Sequence, residues 1–232
     1  MGEQMIEVYL ESGKARVFAA AVDWPGWCRS GRDEAAALQA LVDYAPRYAR
    51  VLEGTQLGFQ PPASVRDLKI IARLPGNHTT EFGAPGQSLD SDSQPVSAQE
   101  LERMETILQA CWQAVDRAAQ AAQGRELTKG PRGGGRELPK IVEHVRDVEM
   151  AYINSLGGKA PADLPDEMEA GFAALRRAVL DTLRAAARGE IPAFGPRGGP
   201  RWKPRYAARR MAWHDLDHAW EIEDRAGLMP PE

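Results

Sequence analysis

The chain has 232 residues, 43% of them hydrophobic and 27% charged, with a formal net charge of −4. This length can bury one large core or two small ones without staples, and the mild acidity gives no overall attraction to nucleic acid or acidic membranes. The two cysteines, Cys28 and Cys111, form no CxxC pattern, which excludes a disulfide framework or a cysteine zinc site as a reading and fits a reducing cytosol.

The first residues, MGEQMIEVYLESG, carry acids where a secretory signal carries a basic run. No segment approaches the ~20 apolar residues of a membrane span, so a soluble, cytoplasmic protein is expected. Ile6, Val8 and Leu10 alternate with Glu7, Tyr9 and Glu11, the period of a half-buried strand. Ser12-Gly13 then turns the chain into a second apolar run from Arg16 to Val22, which predicts a hairpin. Pro25-Gly26 and Ser30-Gly31 punctuate the chain before Asp33, an N-cap for a helix through Ala36, Leu38, Leu41 and Val42. Pro46 should kink or restart that helix near Ala45. Residues 68–74 read as a further strand, and 76–96, rich in Gly, Ser, Asp and Pro, as a linker or a functional loop.

From Ser97 the period becomes helical. Ser97 and Glu100 have capping-box spacing, and Leu101, Met104, Leu108, Cys111 and Val115 share one face up to Gly124. After the loop GPRGGGR (130–136), a second helix carries Ile141, Val145, Val148 and Tyr152 and stops at Gly157-Gly158. A third opens near Pro165 and runs to Gly189, and a fourth spans roughly Tyr206 to Arg225. The expected fold class is therefore α+β: a small N-terminal α/β module of hairpin, helix and strand over 1–75, a connection over 76–96, and a four-helix bundle over 97–232.

The fourth helix carries the distinctive chemistry. Met211, His214, His218 and Ile222 lie at i, i+3, i+7 and i+11, so two imidazoles stand where the stripe would place leucines. Four residues apart, they sit about 40° apart around the helix and project in one direction. His144, between Ile141 and Val148, lies on an inward face of the second helix. A lone inward histidine reads as a core residue satisfied by hydrogen bonds; three of them, costly to bury without compensation, point to metal. Three neutral histidines with an open fourth position match catalytic rather than structural zinc coordination. Asp147, Glu149, Asp215, Asp217 and Glu221 either orient these rings or are solvated helix acids.

Other features keep two readings. The segment RGGPRWKPRYAARR (197–210) holds six basic residues and no acid, which suits a phosphate or carboxylate site or a solvated loop. The glycines at 133–135 lack the spacing of a phosphate-cradling loop. Trp213 and Trp220, one heptad apart, suit core packing. Cys28, in the WPGWC turn, is a reactive thiol or an inert buried one, and His78 is a candidate to line the site from the connecting loop.

EHVRDVEMAY (143–152) and AWHDLDHAWEI (212–222) resemble the paired signatures of the DinB/YfiT-like superfamily of metalloenzymes, over about residues 97–226. The resemblance implies a four-helix bundle and a divalent ion held by His144, His214 and His218. Zinc is the first candidate; nickel and iron are alternatives. It also implies, from several relatives, a low-molecular-weight thiol cofactor (mycothiol, bacillithiol or glutathione) in transferase or isomerase reactions. Residues 18–41, FAAAVDWPGWCRSGRDEAAALQAL, are similar to the core of HicB-like domains through Pro25, Gly26 and Gly31, although Ala36 stands where an acid is expected. No helix-turn-helix or ribbon-helix-helix segment accompanies them, so a DNA-binding antitoxin is not implied.

The leading expectation is a metal-dependent enzyme, a thiol-dependent transferase or isomerase or a hydrolase-like protein, acting on a small molecule. The alternative is a non-catalytic regulatory protein with a partner-binding HicB-like module and a structural metal. Nucleic-acid binding through the basic segment ranks last, no membrane association is expected, and a homodimer is left open.

Overall fold

The computed structural model describes residues 5–129 and 135–228; most of the glycine-rich loop, including Gly133 and Gly134, lies outside the described residues. The N-terminal part is a four-stranded mixed sheet in the order β3-β2-β1-β4. The predicted hairpin is β1 (Ile6–Ser12) and β2 (Val17–Ala21), antiparallel, and β4 (Leu68–Pro75) adds parallel to β1. A further strand, β3 (Cys28–Gly31), pairs with β2 where the sequence shows only turn residues. It is a short edge strand with one buried side chain, Cys28, so it lacks an alternating signature.

Helix α1 (Glu34–Asp43) begins as predicted, with the Asp33 carboxylate accepting from the Ala36 amide at 2.8 Å. Pro46 restarts the chain as α2 (Ala45–Val51), in whose first turn its missing N–H is harmless. The WPGW turn is itself core. Trp27 donates to the Leu41 carbonyl (2.8 Å) and stacks on Tyr48, whose hydroxyl donates to the Pro25 carbonyl (2.8 Å).

One expectation for β1 fails. Its alternation predicts a wet face, yet Tyr9 and Glu11 are as buried as Val8 and Leu10. Val8 and Leu10 join the main core with α1, whereas Tyr9, Phe18, Ala20 and Cys28 meet Leu89 and Trp213 on the other face. Residues 76–96 help to cover that face. They form α3 (His78–Phe82), capped by Asn77, and a short 3-10 turn (Asp90–Ser93). The buried Glu11 carboxylate is satisfied by the amides of Gly86 and Gln87 (2.9 Å each) and the Thr80 hydroxyl, as a buried charge requires. Asp92, also buried, accepts from Arg209 at 2.6 Å.

The bundle consists of α4 (Ala98–Ala121), α5 (Leu138–Leu156), α6 (Met168–Ala187) and α7 (Pro204–Arg225). Ser97 and Glu100 cap α4 reciprocally, at 3.2 and 2.8 Å. Gly157 ends α5 in the left-handed conformation, φ 105°. Helix α6 starts a little beyond Pro165, where the Glu167 carboxylate caps the Glu169 and Ala170 amides. Among the described residues no helix is long and apolar enough to cross a membrane.

Helix α7 packs along α4 and against α5 and α6, and its remaining face meets the sheet layer. Gly26 marks the close approach: its φ is 92°, and a Cβ there would lie 2.9 Å from Leu216 Cδ1 and 3.1 Å from Ala212 Cβ. Gly26→Ala therefore combines a strained backbone with overpacking. It is expected to lower unfolding free energy by about 2–4 kcal/mol, seen as a lower urea midpoint at unchanged m-value.

Candidate metal centre

Helices α5 and α7 bring the three predicted histidines together. One ligand atom from each of His144, His214 and His218 lies within 4.8 Å of the others. His214 Nε2 is 3.4 Å from His144 Nε2, close to the ~3.3 Å separation of two nitrogens bound tetrahedrally to zinc at 2.0–2.1 Å. His218 turns its Nδ1 to Glu221 (2.9 Å), which also accepts from Arg225 (2.8 Å); its Nε2 is left for the centre. His214 Nδ1 faces Asp215 at 3.7 Å, too long for a hydrogen bond, and has no partner of its own. Backing of imidazole by carboxylate orients metal-ligating histidines generally.

Electrostatics favour the ligand form. Burial pushes His214 well below the usual imidazole range, with further lowering from His218, Arg210 and His144. His144 is lowered by its partial burial and by His218. A neutral imidazole keeps the lone pair that a metal needs. His214 and His218 are buried while His144 is partly exposed, so the group reaches solvent on the α5 side. The donor set and its spacing fit a divalent ion.

The five flagged acids divide. Glu221 and Asp215 face the histidines, Asp217 pairs with Arg29 of β3 (3.4 Å), and Asp147 is exposed. Glu149 instead lies deep in the bundle, on the stripe of Ile141, Val145 and Ile153. That stripe, rather than Val148 and Tyr152, is the most buried face of α5, and an acid within it is the signal that could have revealed the next feature. Glu149 and Asp215, with Trp112 of α4 and Arg176 of α6, form a polar group to which all four bundle helices contribute. Trp112 Nε1, Arg176 Nε and all four carboxyl oxygens are buried without a hydrogen-bond partner; Arg176 Nε approaches Glu149 only to 3.6 Å, while its Nη1 donates to Asp116 (2.6 Å). Burial, then the neighbouring Asp215, raises Glu149 well above the carboxylate range, and burial raises Asp215 to about 7.

The other candidates stand elsewhere. His78 is exposed on α3 against Phe82, ring centroids 4.5 Å apart. Cys28 is buried and its thiol pushed up by burial, so the inert reading applies. Trp213 and Trp220 are buried, as packing residues should be. Within 197–210, Arg209 is buried against Asp92, and Arg205 donates to the carbonyls of Ser91, Gln94 and Pro95 and to Glu100. That part of the segment is structural rather than solvated.

The raised Glu149 gives a pH test. In the unfolded chain a glutamate ionises near about 4.3; above that pH the unfolded state loses its proton first, so stability falls as pH rises toward the raised folded value. Glu149→Gln cannot ionise. It should lie within about 1 kcal/mol of wild type at acid pH and become the more stable protein by about 1–3 kcal/mol near pH 8, measured by urea unfolding across that range.

A family model described as the DinB superfamily matches residues 107–222, half of the chain and all three histidines, but none of the sheet layer. No curated protein and no solved structure matches the chain. The chain thus belongs to the DinB superfamily, a metal-binding family, and its three clustered histidines could hold a divalent ion.

Proposed function

We propose that this protein is a metal-dependent enzyme in which His144, His214 and His218 hold a divalent ion, zinc before nickel or iron, and leave a coordination position to a small-molecule substrate. The observation that carries the reading is the set itself: three imidazoles converge, two are buried, one of these is held by Glu221, and the third is partly exposed. A closed, purely structural centre would add a fourth protein ligand, and among the described residues the metal-compatible group contains only these three. The bound ion would supply Lewis acidity, lowering the pKa of a coordinated water or thiol or polarising a carbonyl.

The protein's own part is to hold the His218 ring in orientation. Glu221 accepts from His218 Nδ1 and is itself fixed by Arg225, which donates to the Thr128 carbonyl (2.8 Å). The sheet layer supports the same helix through Arg29 on Asp217 and Arg47 on Glu223 (2.7 Å) and Asp224 (2.9 Å). For that layer we favour a supporting role over the partner-binding role of a HicB-like module. The chain offers no thiolate of its own, because Cys28 and Cys111 are both buried with raised thiols. A thiol-dependent transferase or isomerase reaction would therefore draw its nucleophile from a low-molecular-weight thiol.

Metal analysis of the purified protein tests the first step. Wild type is expected to hold about one ion per chain and His214→Ala far less, the loss of one of three ligands being decisive for a site of this type. Equal, stoichiometric metal in both proteins would refute the site. Chelation should also lower the melting temperature of wild type and not of the variant, since an ion present at a hundred times its Kd stabilises the folded state by about 2.7 kcal/mol.

A further inference from the structure

Three arginines lie near the start of α7, and two are neutralised. Arg205 rests on Glu100 (2.8 Å) and loop carbonyls, and Arg209 on the buried Asp92 (2.6 Å). Arg210 differs. Its Nη1 is buried without a hydrogen-bond partner, and its guanidinium lies over two rings, Trp213 at 4.7 Å and Tyr152 at 5.4 Å from the centroids. Rings stabilise a cation but accept none of its in-plane hydrogen bonds. A guanidinium stays charged at any physiological pH, so a buried, unpaired donor on it carries an uncompensated desolvation cost.

Its position gives that cost a use. Arg210 precedes His214 by one helical turn, about 6 Å along the axis. The Tyr152 ring touches both, lying 5.7 Å from the His214 ring, so cation and imidazole share one aromatic wall. Trp202 extends it, packed on Tyr152 (4.8 Å) and Tyr206 (5.1 Å). One unpaired planar fork matches one planar monoanion; a phosphate ester would call for further free cations, and the adjacent Arg209 is already committed.

We infer that Arg210 is the anion-recognition residue of the site, taking the carboxylate of a small ligand whose thiol, hydroxyl or carbonyl end reaches the point shared by His144, His214 and His218. This rests on the metal reading above and adds the substrate class: short carboxylates with a second donor group. Arg210 thus selects the ligand and is not itself a metal ligand.

The probes are β-mercaptopropionate and β-mercaptoethanol, which differ in the carboxylate, titrated into Co(II)-loaded protein and followed by the thiolate-to-cobalt absorption band. Wild type should bind the carboxylate thiol about ten- to a hundred-fold more tightly, the range of a charged hydrogen bond. Arg210→Gln should lose that preference while keeping its cobalt content and its affinity for β-mercaptoethanol; Arg210→Lys should retain part of it. Cobalt bound with no preference in wild type, or a preference surviving in Arg210→Gln, overturns the inference and leaves the metal reading standing. If wild type takes up no cobalt, the metal reading falls and metal-free protein decides about Arg210. Its carbon-13 Cζ signal near pH 8, assigned by its loss in Arg210→Gln, should shift with propionate and not with propionamide. No shift with propionate overturns the inference there too.

Discussion

Helix α7 is enclosed along most of its length between the other bundle helices and the sheet layer, and most of the structure follows from that constraint. On one flank lie α4, α5 and α6; on the other lies the sheet layer, with Trp213 packed edge-on against Phe18 (6.3 Å) and Trp220 against Tyr44 (5.2 Å). A helix so enclosed is normally apolar all round, yet this one carries arginines, acids and two histidines. Each charged residue therefore needs a partner from another element. The buried or half-buried pairs to Asp92, Arg29 and Arg47 tie α7 to the sheet and its covering segment, and Arg225 ties it to the Thr128 carbonyl. Pairs of this kind contribute little net stability and much positional definition. Definition is what a ligand-bearing helix needs.

Below the histidines the balance is unusual. Glu149 and Asp215 place two carboxyls in the bundle core with one arginine nearby and none of their oxygens hydrogen-bonded. Both are raised by burial, so the fold holds protons that the unfolded chain would release. A cation at the proposed site would stand next to this acid group, since Asp215 follows His214 directly, and its charge would oppose the desolvation that keeps these protons bound. The lowering of His144 and His214 and the raising of Glu149 and Asp215 are two sides of one low-dielectric environment.

Local chemistry was legible in the sequence. The Asp33 cap, the restart at Pro46, the Ser97–Glu100 box and the Gly157 stop are set by neighbouring residues and recur in the structure. The convergence of His144, His214 and His218 was legible for the same reason, because helical phase brings them together on facing sides of α5 and α7, with His144 partly exposed. What escaped depended on distant partners. β3 exists because β2 pairs with it, not because CRSG favours a strand. The second face of β1 is dry because residues 84–92 and Trp213 cover it. Glu149 reads as an ordinary helix acid until α4, α6 and α7 enclose it, and Arg210 stands out only once the partners of Arg205 and Arg209 are known.

The contact at Gly26 couples the two halves of the chain sterically. A turn in the sheet layer leaves no room for a side chain against Ala212 and Leu216, the residues that set the spacing just ahead of and just after His214. Enlarging either would displace the turn, and a bulkier turn would tilt the helix that bears two of the three histidines. Substitutions in the two places are therefore expected to covary. The bundle could not exchange its α/β companion for another without re-fitting the helix that carries its chemistry.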